Sequence, residues 1–177
     1  GIFKSDFSSI VNTAAGSNIC ESVFSFIGGG NDINITEGDA SNVVGGRDNV
    51  MVSQSFSSTV GGCCNIISSS NAEGKKFANF IGAGCCNIIM SSDYSSILGG
   101  RCNTIEDYEN SHIIGSNLSV GQSNTTFMNN TIITGSLTVG QQTLSISSTV
   151  GRIDATNDVV AFSTSDRRLK ENIQPIN

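Results

Sequence analysis

Bulky side chains are scarce in this sequence. It has no Trp and two Tyr, and apolar residues make up 37% of its 177 positions. Large aromatic and aliphatic groups supply most burial energy, so a thick globular core is excluded. Charge is scarce as well: 14% of residues carry one, and the formal net charge is −6. A nucleic-acid binder needs a basic face, so no nucleic-acid partner is expected. No run reaches the roughly eighteen apolar residues of a membrane span, which predicts no membrane insertion. Gly1-Ile2-Phe3-Lys4 lacks the basic-then-apolar order of a signal peptide. The single histidine, His112, rules out a multi-histidine metal site or a His-based triad within one chain.

Proline occurs once and glycine 20 times. Ser, Asn and Thr fill much of the remainder. A narrow core repeated along an axis needs only one or two medium apolar residues per layer, so this composition predicts an elongated repeat protein.

Six cysteines stand at positions 20, 63, 64, 85, 86 and 102. Adjacent cysteines are poor disulfide partners for each other, because the bridge strains the peptide between them. Their spacing is not that of a zinc site, which wraps a tetrahedron with separated pairs. The expectation is small, buried, reduced side chains at equivalent places in successive repeats, as befits folding in a cytoplasm. No metal and no cofactor is expected. Gly28-Gly29-Gly30-Asn31-Asp32-Ile33 occurs once and has the wrong Gly and Asp spacing for a calcium-binding nonapeptide repeat.

Internal repetition dominates the chain. The unit is an apolar residue, two small residues, two variable ones, Asn, then an apolar pair. It reads Val44-Gly45-Gly46-Arg47-Asp48-Asn49-Val50-Met51, then Val60-Gly61-Gly62-Cys63-Cys64-Asn65-Ile66-Ile67, and later Leu98-Gly99-Gly100-Arg101-Cys102-Asn103-Thr104-Ile105. A variant with one extra residue runs from Ile81 to Ile89, and looser copies start at Ile27 and Ile114. From Ile27 to Val44 is 17 residues, from Val44 to Val60 and from Leu98 to Ile114 is 16, and from Val60 to Ile81 is 21. The excess in the longest step falls at Ala72-Glu73-Gly74-Lys75-Lys76, predicted to bulge as a charged loop. Two packed helices need about 30 residues per repeat; sixteen suffice for two short strands and two tight turns.

The fold predicted is all-β: a β-solenoid, or trimeric β-helix, of coils of about 16–17 residues. Stacked coils place equivalent residues about 4.8 Å apart. Asn49, Asn65, Asn87 and Asn103 then form a structural ladder, each amide bonding the next, with the Val, Ile and Leu positions as a matching apolar ladder inside. Surface turn asparagines are the alternative. So thin a coil buries little alone, which predicts a homotrimer. The repeats are also similar to the heads of trimeric autotransporter adhesins.

Three regions follow: the solenoid over 1–124, a β-structured neck over 125–162, and a terminal segment over 163–177. In the neck, Thr131 to Gly140 and Thr143 to Val150 alternate apolar and polar residues, the pattern of half-buried strands. The terminal segment reads Ser163-Thr164-Ser165-Asp166-Arg167-Arg168-Leu169-Lys170-Glu171-Asn172-Ile173. It resembles the opening of the self-cleaving intramolecular chaperone domain that ends phage endosialidases, tail spikes and long tail fibres. The resemblance covers about a dozen residues, through Ser-Asp, an Arg two after the Ser, Lys five after it, and Asn-Ile. It implies trimer assembly by the chaperone, then cleavage between Thr164 and Ser165, with Ser165 as nucleophile and Lys170 as base. The chain ends in mid-motif, which predicts a longer parent and no cleavage by the present stretch, since nothing here buries Lys170 and neutralises it.

The function expected is that of a structural, trimeric viral fibre or tail-spike shaft for host attachment, located in the virion after assembly in the host cytoplasm. Its partners are further copies of itself and a host cell-surface glycan or protein. A bacterial trimeric adhesin at the cell surface and a polysaccharide-degrading tail-spike β-helix are the alternatives; the latter requires paired carboxylates in a groove.

Overall fold

The computed structural model describes residues 1–4, 6–11, 16–69, 76–129 and 131–134. They are all-β, with parallel strands stacked as a β-solenoid and no helix among the described residues. The stack belongs to the compact unit Gly1–Ile132. The 16-residue coil predicts this architecture, and the architecture is what the chain adopts.

The first sheet has seven strands: Ile2–Phe3, Asn18–Cys20, Asn34–Thr36, Val50–Val52, Ile66–Ser68, Ile88–Met90 and Thr104–Glu106. The second has eight: Ser9–Ile10, Phe26–Ile27, Asn42–Val43, Ser58–Thr59, Phe80–Ile81, Ser96–Ile97, His112–Ile114 and Thr126–Met128. A short two-stranded sheet pairs Gln54–Ser55 with Lys76–Phe77. Register is strict. Ile67 faces Met51 on one side and Ile89 on the other, and the longer step between Ile67 and Ile89 does not disturb it. The insertion falls in sequence between Ser68 and Phe80, and 70–75 lie outside the described residues.

Each fully described coil has four left-handed corners where the repeat length suggested two turns. In the coil beginning at Val50, left-handed backbone occurs at Ser53 (φ 52°), Phe56 (φ 54°), Gly62 (φ 88°) and Cys64 (φ 56°). The coil before it repeats the pattern at Glu37, Ala40, Gly46 and Asp48. Bulky residues rarely take positive φ, so the stack itself holds these corners. The third one demands glycine: a Cβ on Gly62 would stand 2.0 Å from the carbonyl oxygen of Gly84.

The core is thin and mixed. Ile19, Ile35, Met51, Ile67, Ile89 and Ile105 point inward from the first sheet, and Ile27, Val43, Ile81, Ile97 and Ile113 from the second. Thr59 occupies the equivalent inward position in its coil. Ile33 and Val120 complete the apolar core, and the other buried side chains are polar.

Candidate functional site

Two polar columns fill the inside. Asn49, Asn65, Asn87 and Asn103 are fully buried and stand one above another. The Oδ1 of Asn49 accepts the backbone N–H of Asn65 at 3.1 Å, and the Oδ1 of Asn65 accepts that of Asn87 at 3.1 Å. Each Nδ2 donates to a carbonyl at the glycine corner of its own coil and to one in the next; for Asn65 these are Gly61 at 2.9 Å and Gly84 at 3.1 Å. Every amide thus caps a carbonyl at the glycine corner of its own coil. Those of Asn49, Asn65 and Asn87 add a second bond to a next-coil carbonyl that already accepts a backbone N–H, as Gly84 does from Cys63 at 2.9 Å.

The second column is serine. Ser25, Ser41, Ser57, Asn79, Ser95 and Ser111 are buried at the start of the second sheet's strands. The Oγ of Ser41 accepts the backbone N–H of Ser57 at 3.4 Å, and the Oγ of Ser57 accepts that of Asn79 at 3.1 Å. Sequence reasoning missed this column. Its signal was present, a Ser two residues before the inward aliphatic residue, but serine is common throughout the chain.

The apolar residue that opens the copies at Val44, Val60, Leu98 and Ile114 faces outward, which corrects the expected inner ladder there, whereas the opening Ile27 and Ile81 are buried inside. Val44 is 51% exposed and Leu98 55%, while Val60 and Ile114 are similarly open. Their immediate predecessors Val43, Thr59, Ile97 and Ile113 are the inward residues. A strand alternates faces, so one position decides the side. Where the outward column carries glycine, a phenylalanine two residues earlier covers the gap. The Phe26 ring lies 3.0 Å from where a Gly28 Cβ would be, and the Phe80 ring 3.4 Å from that of Gly82. Val11, Phe26, Val44, Val60, Phe80, Leu98, Ile114 and Met128 therefore form an apolar stripe along the second sheet's outer face.

Five cysteines share the fourth corner. Arg47, Cys63, Cys85 and Arg101 pair across successive rungs in one column, and each is followed by the corner residue, Asp48, Cys64, Cys86 or Cys102. All six cysteines are free. The five at the corner fall in two columns of equivalent places, whereas Cys20 ends a strand of the first sheet. Cys20, Cys63 and Cys64 are only half-buried and Cys85, Cys86 and Cys102 are exposed, which corrects the expectation of burial. The corner's outward left-handed geometry turns these side chains toward solvent. The Sγ atoms of Cys63 and Cys64 are 3.1 Å apart, and those of Cys85 and Cys86 3.2 Å. The Arg47 guanidinium reaches the Cys63 sulfur at 3.5 Å and Asp48 at 3.3 Å. Hydrogen bonds from Cys64 and then Arg47 hold the Cys63 thiol below its ordinary pKa. Cys86, hydrogen-bonded to Cys85, is pushed up to about 11.

His112 lies on a strand, its Nδ1 2.8 Å from the Ser96 hydroxyl on the neighbouring rung. Stacked strands run to Met128, past the point where the sequence repeat loosens. From 135 onward the chain lies outside the described residues, and with it Thr164, Ser165, Lys170 and most of the expected neck.

Inward ladders, strict parallel register and four-cornered coils define the class: a thin parallel β-solenoid. No protein-family model matches the chain, and no curated protein matches it.

Proposed function

We propose that this chain is the shaft of a homotrimeric viral fibre or tail spike, a rigid spacer for host attachment whose assembly is directed by a carboxy-terminal chaperone. The observation that carries this reading is the outward apolar stripe. Contiguous apolar surface of this kind marks an interaction site, and covering it with two further copies adds to a core of about two aliphatic residues per coil. Threefold association comes from the resemblance of residues 163–173 to the self-cleaving chaperone of tail fibres and tail spikes. In that reading Ser165 and Lys170 cut the parent between Thr164 and Ser165. A host glycan or surface protein is the partner at the attachment end, and the virion is the location.

Light scattering on the purified chain tests the reading. The expected particle has three times the 18.4 kDa chain mass. A stable, folded monomer overturns it.

A further inference from the structure

The fourth corner assembles donors that the sequence keeps apart. Asp48 precedes Cys64 by one coil and stands directly beside it in the stack. Among the described residues, Asp48, Cys63 and Cys64 each offer one ligand atom, and the three atoms lie within 4.8 Å of one another. Cys85 pairs with Cys63 across the following rung, so a fourth thiol adjoins the group.

We propose that Asp48, Cys63 and Cys64 chelate a thiophilic divalent cation of the zinc class, with Cys85 adjoining as the fourth donor. Three features support this assignment. First, donor chemistry: two thiolates and a carboxylate suit zinc, whereas a carboxylate and carbonyl set would suit calcium or magnesium. Second, charge: two thiolates and one carboxylate, less the Arg47 guanidinium beside them, leave two negative charges for a divalent ion to balance. Third, reach: two sulfurs around tetrahedral zinc stand about 3.8 Å apart at a Zn–S length of about 2.3 Å. The 3.1 Å between Cys63 and Cys64 opens to that by small side-chain rotations, which a solvent-facing corner permits. Each thiol releases its proton to solvent as its sulfur ligates the metal, so binding tightens as pH rises.

The site is distinct from the apolar stripe, which it follows around the Gly61–Gly62 corner, and from any cut at Ser165. The backbone there is already held by rung-to-rung hydrogen bonds, Cys63 N–H to the Gly84 carbonyl at 2.9 Å and Cys64 N–H to that of Arg47 at 2.9 Å. Metal therefore decorates a formed corner and is not needed to fold it.

The reduced, metal-free protein is titrated with Cd²⁺ alone, whose thiolate bonds absorb in the ultraviolet, and separately with Zn²⁺ before alkylation and peptide mass mapping. The expected result is a cadmium–thiolate band saturating at one ion per chain, with Zn²⁺ shielding Cys63 and Cys64 from alkylation. Cys20→Ser leaves the band unchanged. Asp48→Asn weakens Cd²⁺ binding by about tenfold or more, and the Cys63→Ser/Cys64→Ser double variant abolishes it. Absence of the band, or shielding confined to Cys86 and Cys102 while Cys63 and Cys64 stay open, overturns the assignment. The alkylation map uses the unaltered chain, so a variant that failed to fold would not decide the matter.

Discussion

The side-chain oxygen of Asn87 accepts two hydrogen bonds from Asn103, one from its backbone N–H at 3.2 Å and one from its Nδ2 at 3.0 Å. One amide thus spans the rung gap while its own Nδ2 closes the corner carbonyls of Ala83 and Gly100. Asn87→Ala strips partners from several buried groups at once and opens a cavity. The expected loss is about 2–4 kcal/mol, read as a lower denaturation midpoint. Asn87→Ala with an unchanged midpoint means that water replaces the amide without cost.

Gly61 and Gly62 adjoin in sequence and differ in what surrounds them. No atom lies within 4 Å of a Cβ built on Gly61, whereas one on Gly62 meets the Gly84 carbonyl oxygen at 2.0 Å in a left-handed backbone. Gly61→Ala is expected to shift stability by less than about 1 kcal/mol, and Gly62→Ala to cost about 3 kcal/mol or more. Chemical denaturation of the two single variants makes the comparison, and equal effects would refute the corner geometry.

Leu98 lies mid-stripe with an open side chain. Leu98→Asp places a charge where neighbouring copies are proposed to meet, and desolvating it there is costly. Light scattering is expected to show dissociation to the single-chain mass. Thr36→Asp, in the first sheet and off the stripe, leaves the oligomer intact. A Leu98→Asp protein that remains trimeric moves the interface elsewhere.

Thiol reactivity separates two cysteines of neighbouring rungs, one from each of the corner's two columns. Hydrogen bonds from Cys64 and Arg47 lower the Cys63 pKa, and the hydrogen bond to Cys85 raises that of Cys86 to about 11. Thiolate is the reactive form, so a lower pKa moves reactivity to lower pH. Iodoacetamide is expected to modify Cys63 at a lower pH than Cys86. Arg47→Gln moves the Cys63 profile upward and leaves that of Cys86 in place.

The proposed cut is tested in the longer parent. Ser165→Ala and Lys170→Ala are each expected to leave it uncut yet assembled, since assembly depends on packing surfaces and not on the peptide bond. Mass spectrometry that found cleavage in Ser165→Ala, or at another bond, would remove the chaperone resemblance from the argument.

The solenoid was legible because a recurring Gly-Gly corner every 16 or so residues leaves room for strands and not helices. The direction of the leading apolar residue was not. Copies beginning at Ile27 and Ile81 carry one extra residue before the Asn position. Aligning them on the apolar residue matched inward Ile27 and Ile81 with outward Val44, Val60 and Leu98, and a one-residue slip exchanges faces. The serine column was hidden by the abundance of serine. The thiol corner was illegible for a different reason: spacing along the chain shows Cys63 beside Cys64, but Asp48 and Cys85 join them only once the coils stack.

The strict register between Ile67 and Ile89, despite the residues inserted between them, bears on how such a rod changes length over generations. Gain or loss of one whole coil alters its height by about 4.8 Å and leaves every remaining side chain on its former face. Extra residues added at the short side between the two main sheets do not alter the height at all. A single-residue deletion within a strand would instead turn the following side chains inside out. Viable length variants of this protein should therefore differ by whole coils or by corner insertions, with few intermediates.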